Sequence, residues 1–165
     1  MSEGSKPGIK ISSEGVFRGM IIFIGSSSSS QSLDDLRKIA MIIEREGHIP
    51  YPWNKSGVFP LGKYIAESLR DICKKVDAAI LIFNEDDPVW YRNDYTWQPR
   101  DNVVYEYGLL QGHLGPERTI ICRRGSAKLA SDLNGIVYCD LDKEYTAEHE
   151  LVEWMRYISS MLALK

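Results

Sequence analysis

The chain has 165 residues, 44% of them hydrophobic, which is enough to bury the core of one domain and crowded for two. A net charge of −3 gives no electrostatic footprint for a nucleic-acid backbone or an anionic membrane surface, so a small polar ligand is the expected partner. The longest apolar runs fall far short of the ~20 residues of a membrane span, and Met1 to Gly19 lacks a signal-peptide pattern, so a cytoplasmic location with no membrane partner is expected.

In chain order, residues 1–19 read as a linker or N-terminal extension, with a strand through Ile9 to Ser12 as an alternative, and residues 20–165 as the folded domain. Met20 to Ile24 is a short apolar run of strand type. In Ser32 to Glu46, the residues Leu33, Leu36, Ile39, Ala40 and Ile43 recur at helical spacing and Gly47 supplies a stop, which predicts an amphipathic helix. Ile49 to Trp53 predicts a second strand whose two prolines suit a sheet edge, where one ladder of hydrogen bonds is absent. Leu61 to Val76 repeats the helical pattern with Ile65, Leu69, Ile72 and Cys73, and Ala78 to Phe83 has the uninterrupted apolar character of a central strand.

Asn84 to Pro99 reads as a polar loop that also carries Trp90, Tyr91, Tyr95 and Trp97, large rings suited to a lid or an assembly surface. A helix is expected to start near Asp101 or Asn102, both of capping type, and to end between Gly112 and Gly115. Thr119 to Cys122 and Ile136 to Cys139 read as the last two strands, and Thr146 to Leu162 as the closing helix. Right-handed crossovers between such strands predict an α/β fold: a flavodoxin-like, doubly wound, five-stranded parallel sheet in the order 2-1-3-4-5. Cys73, Cys122 and Cys139 form neither a disulfide framework nor a CxxC pair, so buried reduced thiols are expected. His48, His113 and His149 are isolated, so no metal site is expected.

In such a sheet the ligand crevice lies at the carboxyl ends of the strands, where strand order reverses. Gly25-Ser26-Ser27, after the first strand, has small residues that suit approach by a phosphate or ribose, or simply a polar turn, since no dinucleotide or P-loop pattern accompanies it. Trp53 is either core or a stacking surface for an aromatic ligand. Asn84-Glu85-Asp86-Asp87 puts carboxylates at the crevice edge, to bind hydroxyls or as a solvated turn.

Glu106 is the sharpest anomaly. Its helical neighbours Asn102, Val103, Leu109 and Leu110 make a largely apolar face, where a carboxylate must find a partner or front a cavity. Residue chemistry alone leaves two readings, a Glu paired with Arg100 or another cation and a functional carboxylate near the crevice mouth.

The segments Ile22-Phe23-Ile24-Gly25-Ser26-Ser27, Asp77-Ala78-Ala79-Ile80-Leu81-Ile82 and Gly112-His113-Leu114-Gly115-Pro116-Glu117-Arg118 resemble the TIR-like domains of bacterial antiphage effectors. The most specific stretch of that resemblance is Pro99-Arg100-Asp101-Asn102-Val103-Val104-Tyr105-Glu106-Tyr107-Gly108, and the likeness runs from about Met20 to Leu141. Tyr105 stands where Phe is more usual, and the stretch from Asp87 to Pro99 has its own composition.

The resemblance implies an NAD⁺ nucleosidase with Glu106 as its catalytic carboxylate and NAD⁺ as substrate rather than cofactor. It implies ligand-lining positions at Gly25, Ser26, Ser27 and Asp86, and the expected substrate-binding set is these together with Trp53, Arg100 and Asn102. It further implies activation by assembly into a homo-oligomer or filament, under a cyclic-nucleotide sensor such as a STING domain. The rival expectations are a nucleoside or nucleotide N-glycosidase or deoxyribosyltransferase, and a TIR module used only for interaction. A pure scaffold gains nothing from burying a charge, and a hydrolase triad lacks its GxSxG elbow.

Overall fold

The structure, a computed structural model, describes residues 19–163; the alternative strand through Ile9 to Ser12 lies outside them. Five parallel strands form the central sheet: β1 (Ile21–Gly25), β2 (Ile49–Pro52), β3 (Ala78–Ile82), β6 (Thr119–Arg123) and β7 (Cys139–Asp140). Their order is β2-β1-β3-β6-β7, which is the expected 2-1-3-4-5 winding once the separate hairpin of β4 (Asp87–Tyr91) and β5 (Asp94–Gln98) is set aside.

Because side chains alternate across a strand, the sheet divides into two apolar faces. Ile22, Ile24, Ala78, Ile80, Ile82 and Cys122 face helices α1 (Ser30–Arg45) and α4 (Glu144–Ala163), meeting Leu36, Ile39, Ile43, Leu151, Met155 and Ile158. Phe23, Ala79, Leu81, Phe83 and Ile121 face α2 (Ile65–Lys75) and α3 (Asp101–Leu114), meeting Leu69, Ile72, Val103, Tyr107 and Leu110. Every residue of β3 is buried, since the sheet covers both its edges and helices cover both its faces.

At the β2 edge the ladder is one-sided. Ile49 N donates to Met20 O at 2.8 Å and Trp53 N to Ile24 O at 3.0 Å, while Pro50 and Pro52 fall at the alternate positions. The three cysteines are free and buried, and no helix among the described residues is long and apolar enough to cross a membrane.

Several element boundaries differ from the expectations. Helix α1 begins two residues early because Ser29, with extended φ −62° and ψ 148°, accepts the Ser32 amide on its side chain. Helix α2 begins at Ile65, which is 64% exposed and so lies outside the buried stripe of Leu69, Ile72 and Cys73. The residue capping α3 is Arg100, with no side-chain bond to the helix; Asp101 instead occupies the first turn and accepts the Asn102 amide at 2.8 Å. Strand β7 keeps only Cys139 and Asp140, since Gly135 at φ +86° and the turn bond from Ile136 N to Leu133 O use up the residues before it.

The polar loop is in part a hairpin. Its turn, Arg92-Asn93, has φ of 50° and 67°, the paired left-handed conformation that matches strand twist and that Asn tolerates well. Trp90 and Tyr95 stand opposite each other in register and pack edge to face, with centroids 5.0 Å apart.

Candidate active site

The strand order reverses between β1 and β3, and α1 and α3 begin beyond the carboxyl ends of these two strands. Gly25, the last residue of β1, lies against Leu81 and Glu106: a β-carbon on it would stand 2.5 Å from Leu81 Cδ1 and 2.6 Å from Glu106 Oε2, so one of those side-chain ends would have to shift. Glu106 sits in the second turn of α3, only 5% exposed, and its Oε2 is buried with no hydrogen-bond partner. Burial alone raises its pKa to about 7, so near neutrality the group is poised between acid and carboxylate.

The pairing with Arg100 that the sequence left open is not formed. The guanidinium reaches Asp87 Oδ1 at 3.2 Å and Ser28 Oγ at 3.4 Å instead. Glu106 is therefore a buried carboxyl without a counterion among the described residues, the kind of group that is costly to keep unless a ligand completes it.

Around it, the loop after β1 is knit together by its own hydroxyls. Ser26 Oγ donates to Ser27 O at 2.8 Å and accepts the Trp53 indole N–H at 2.8 Å, which fixes Trp53 at the sheet edge with its ring packed against both core faces. Ser27 Oγ donates to Asp86 Oδ1 at 2.5 Å, and Ser29 and Ser32 donate to the same oxygen at 3.2 and 3.4 Å. Asp86 Oδ2 accepts the backbone amide of Arg100 at 3.3 Å.

Gly25, Ser26, Ser27, Trp53, Asp86 and Arg100 thus form one contiguous cluster, with Gly25 in contact with Glu106. Asn102 lies on α3 one turn before Glu106, exposed at the rim.

Sequence reasoning missed the residues that hold this edge from behind. Asp35, 2% exposed on α1, takes two bonds from the Arg124 guanidinium, at 2.7 and 3.2 Å. Asn84 Nδ2 donates to Asp35 at 3.1 Å and to Ser32 Oγ at 3.0 Å, while Asn84 Oδ1 accepts the Arg124 amide at 3.0 Å. One local signal was available: Asp35 precedes Leu36 and lies one turn before Ile39 on a face that is otherwise apolar. Arg124 gave none.

The architecture is that of a TIR-type domain, and comparison with known proteins refines the assignment. The family model described as "CAP12/Pycsar effector protein, TIR domain" matches residues 21–143, and the chain belongs to that family. CD-NTase-associated protein 12 of Sphingobacterium faecium is 33% identical over 138 residues, covering 82% of this chain and 41% of that protein. The Pycsar effector protein PaPycTIR of Pseudomonas aeruginosa is 36% identical over 110 residues, covering 66% of this chain and 35% of its own length. The chain therefore spans well under half the length of these relatives. Among solved structures, the TIR domains of the activated Roq1 resistosome align with a TM-score of 0.47 at 11% identity, over 84% of each chain.

Proposed function

We propose that this domain is an NAD⁺ glycohydrolase that breaks the nicotinamide–ribose bond, serving as the effector of an antiphage system. The observation that carries the reading is the buried Glu106 carboxyl, without a counterion, pressed against the bare backbone of Gly25 at the crevice.

In NAD⁺ the leaving nicotinamide already bears the positive charge. When the C1′–N bond breaks, its electron pair neutralises the ring nitrogen, neutral nicotinamide departs, and positive charge appears on the ribosyl C1′ and ring oxygen. A carboxylate held beside that centre stabilises the charge as it develops, and its effect is large because the surroundings are apolar. No general acid is needed for such a leaving group, unlike the paired carboxylates of most glycosidases. Water then attacks C1′ and loses a proton, giving ADP-ribose; attack by an adenine nitrogen gives a cyclic product.

Substrate and site also complement each other in charge. The cationic nicotinamide riboside supplies the counterion Glu106 lacks, which favours the carboxylate form in the complex. In this reading Arg100 and Asn102 bind the diphosphate and ribose hydroxyls, and Trp53 stacks on a ring of the substrate. Activation is by assembly into an oligomer or filament, driven by a cyclic-nucleotide sensor elsewhere in the full protein or in a partner.

The test is incubation of the purified chain with NAD⁺ at several protein concentrations, with free nucleosides in parallel and Glu106→Gln as control. Release of nicotinamide that disappears in the folded variant is expected. Cleavage of nucleosides but not NAD⁺, or full activity in the variant, refutes the reading.

A further inference from the structure

Asp86 stands where a substrate ligand is the obvious reading, yet most of its hydrogen-bonding capacity is already used inside the protein. An ionised carboxylate offers roughly four acceptor sites, and here Ser27, Ser29 and Ser32 use one oxygen while the Arg100 amide uses the other. Its own backbone is pinned as well, with Asp86 N donating to Asn84 O at 3.0 Å and Gln98 O at 3.1 Å. The donors come from two helix starts. Ser29 is the capping residue of α1, and Arg100, whose side chain makes no bond to the helix, occupies the same position on α3. One carboxylate therefore joins both N-terminal ends and is favoured by both helix dipoles.

We propose that Asp86 is a positioning residue, which contacts no substrate but holds the first turn of α3, and with it Glu106, in register against the loop after β1. The inference rests on the NAD⁺ glycohydrolase reading for its kinetic consequence, though not for its geometry. Little slack exists at the contact it protects, because the Gly25 backbone lies against the Glu106 carboxyl. A 1 Å misplacement of a catalytic group costs about 10²-fold in rate. The brace continues inward, away from the crevice: Ser32 is fully buried, accepts from Asn84, and through it reaches Asp35 and Arg124.

Two variants separate positioning from substrate contact. Asp86→Asn replaces one acceptor oxygen by an amide donor, so either the hydroxyls or the Arg100 N–H lose their partner. Ser32→Ala removes a donor that no substrate can touch. In steady-state cleavage of NAD⁺ by the full chain, Asp86→Asn is expected to lower kcat by about 10²-fold with KM within roughly threefold of wild type. Ser32→Ala is expected to lower kcat by about threefold or more with KM unchanged.

The second readout needs no turnover. The carboxyl carbon resonance of Glu106 in the ligand-free protein is expected to titrate closer to an ordinary glutamate in both variants, as water reaches the loosened group. A tenfold rise in KM with kcat intact in Asp86→Asn overturns the proposal in favour of direct substrate binding. Wild-type kcat in both variants overturns it too, as does an unmoved Glu106 titration in folded protein. If the wild type cleaves no NAD⁺, the functional reading fails and the titration alone decides on the brace; if Asp86→Asn does not fold, Ser32→Ala decides.

Discussion

Gly25 and Glu106 touch so closely that a side chain at residue 25 would displace one of its neighbours: its β-carbon would stand 2.6 Å from Glu106 Oε2 and 2.5 Å from Leu81 Cδ1. Leu81 is fully buried on β3, so the carboxyl is the group that must yield. Gly25→Ala is expected to cut NAD⁺ cleavage by about 10²-fold and to cost roughly 1–3 kcal/mol in stability from overpacking. Nicotinamide release and thermal melting, measured on the same preparation, check both halves. Near-normal turnover would mean that the carboxyl can move without consequence.

The pH dependence follows from the state of Glu106. Its pKa in the free protein is raised to about 7 by burial, and the form that stabilises a ribosyl cation is the carboxylate. Thus kcat/KM should rise about tenfold per pH unit below 7 and level off above about 8. The kcat profile should turn at lower pH, because the cationic substrate favours the carboxylate in the complex. A flat kcat/KM between pH 5.5 and 8 would contradict this role.

The same group makes stability depend on pH with a definite sign. Folded Glu106 holds its proton up to about pH 7, whereas the unfolded group releases it near its ordinary value of 4.5, so between those values the folded state binds more protons. Stability is therefore lost as pH rises through this window, by an order of about 3 kcal/mol. Glu106→Gln should abolish that loss, melting several degrees above wild type at pH 8 and close to it near pH 4.5. Parallel melting curves at the two pH values decide the matter.

Trp90 and Tyr95 remain 62% and 72% exposed even though they pack on each other, which leaves an aromatic knob on the hairpin. Rings left in water at this density suit a contact between copies of the domain. Specific activity of the wild type is expected to rise with protein concentration, and Trp90→Ala or Tyr95→Ala should need a higher concentration to reach the same value. A dilution series with light scattering tests this. Constant specific activity in a protein that stays monomeric would show the knob has another use.

Arg124 is the counterion of Asp35, whose side chain is 1% exposed. Removing the guanidinium strands a buried charge, so Arg124→Ala should destabilise the domain by about 3–5 kcal/mol, whereas Asp35→Asn together with Arg124→Gln should recover part of that loss. Denaturant unfolding of the single and double variants measures both values.

The sheet was readable from the sequence because β1 and β3 are uninterrupted apolar runs and α1 carries its buried residues at helical spacing. Glu106 was conspicuous because an acid on an apolar helical face is a local anomaly, visible within a few residues on either side. The hairpin escaped notice since its turn is Arg92-Asn93 rather than the Asn-Gly type, with Pro88 inside the first strand as a discouraging sign. Asp101 and Asn102 looked like caps by residue type, but the amide at the start of α3 is taken by Asp86, 14 residues earlier. The Asp35–Arg124 pair spans 89 residues, and nothing local to either one announces the other.

The prolines of β2 bear on how copies of this domain can associate. On that strand, the positions whose amides would point outward are Pro50 and Pro52, which have no N–H to offer, so a neighbouring chain finds half of the ladder missing. The opposite margin, β7, is only two residues long. Among the described residues, one rim of the central sheet is stripped of half its donors and the other is cut short, so strand pairing between copies through this sheet is disfavoured. An ordered array of this domain that left the central sheet intact could dissolve again without a strand of that sheet being pulled apart.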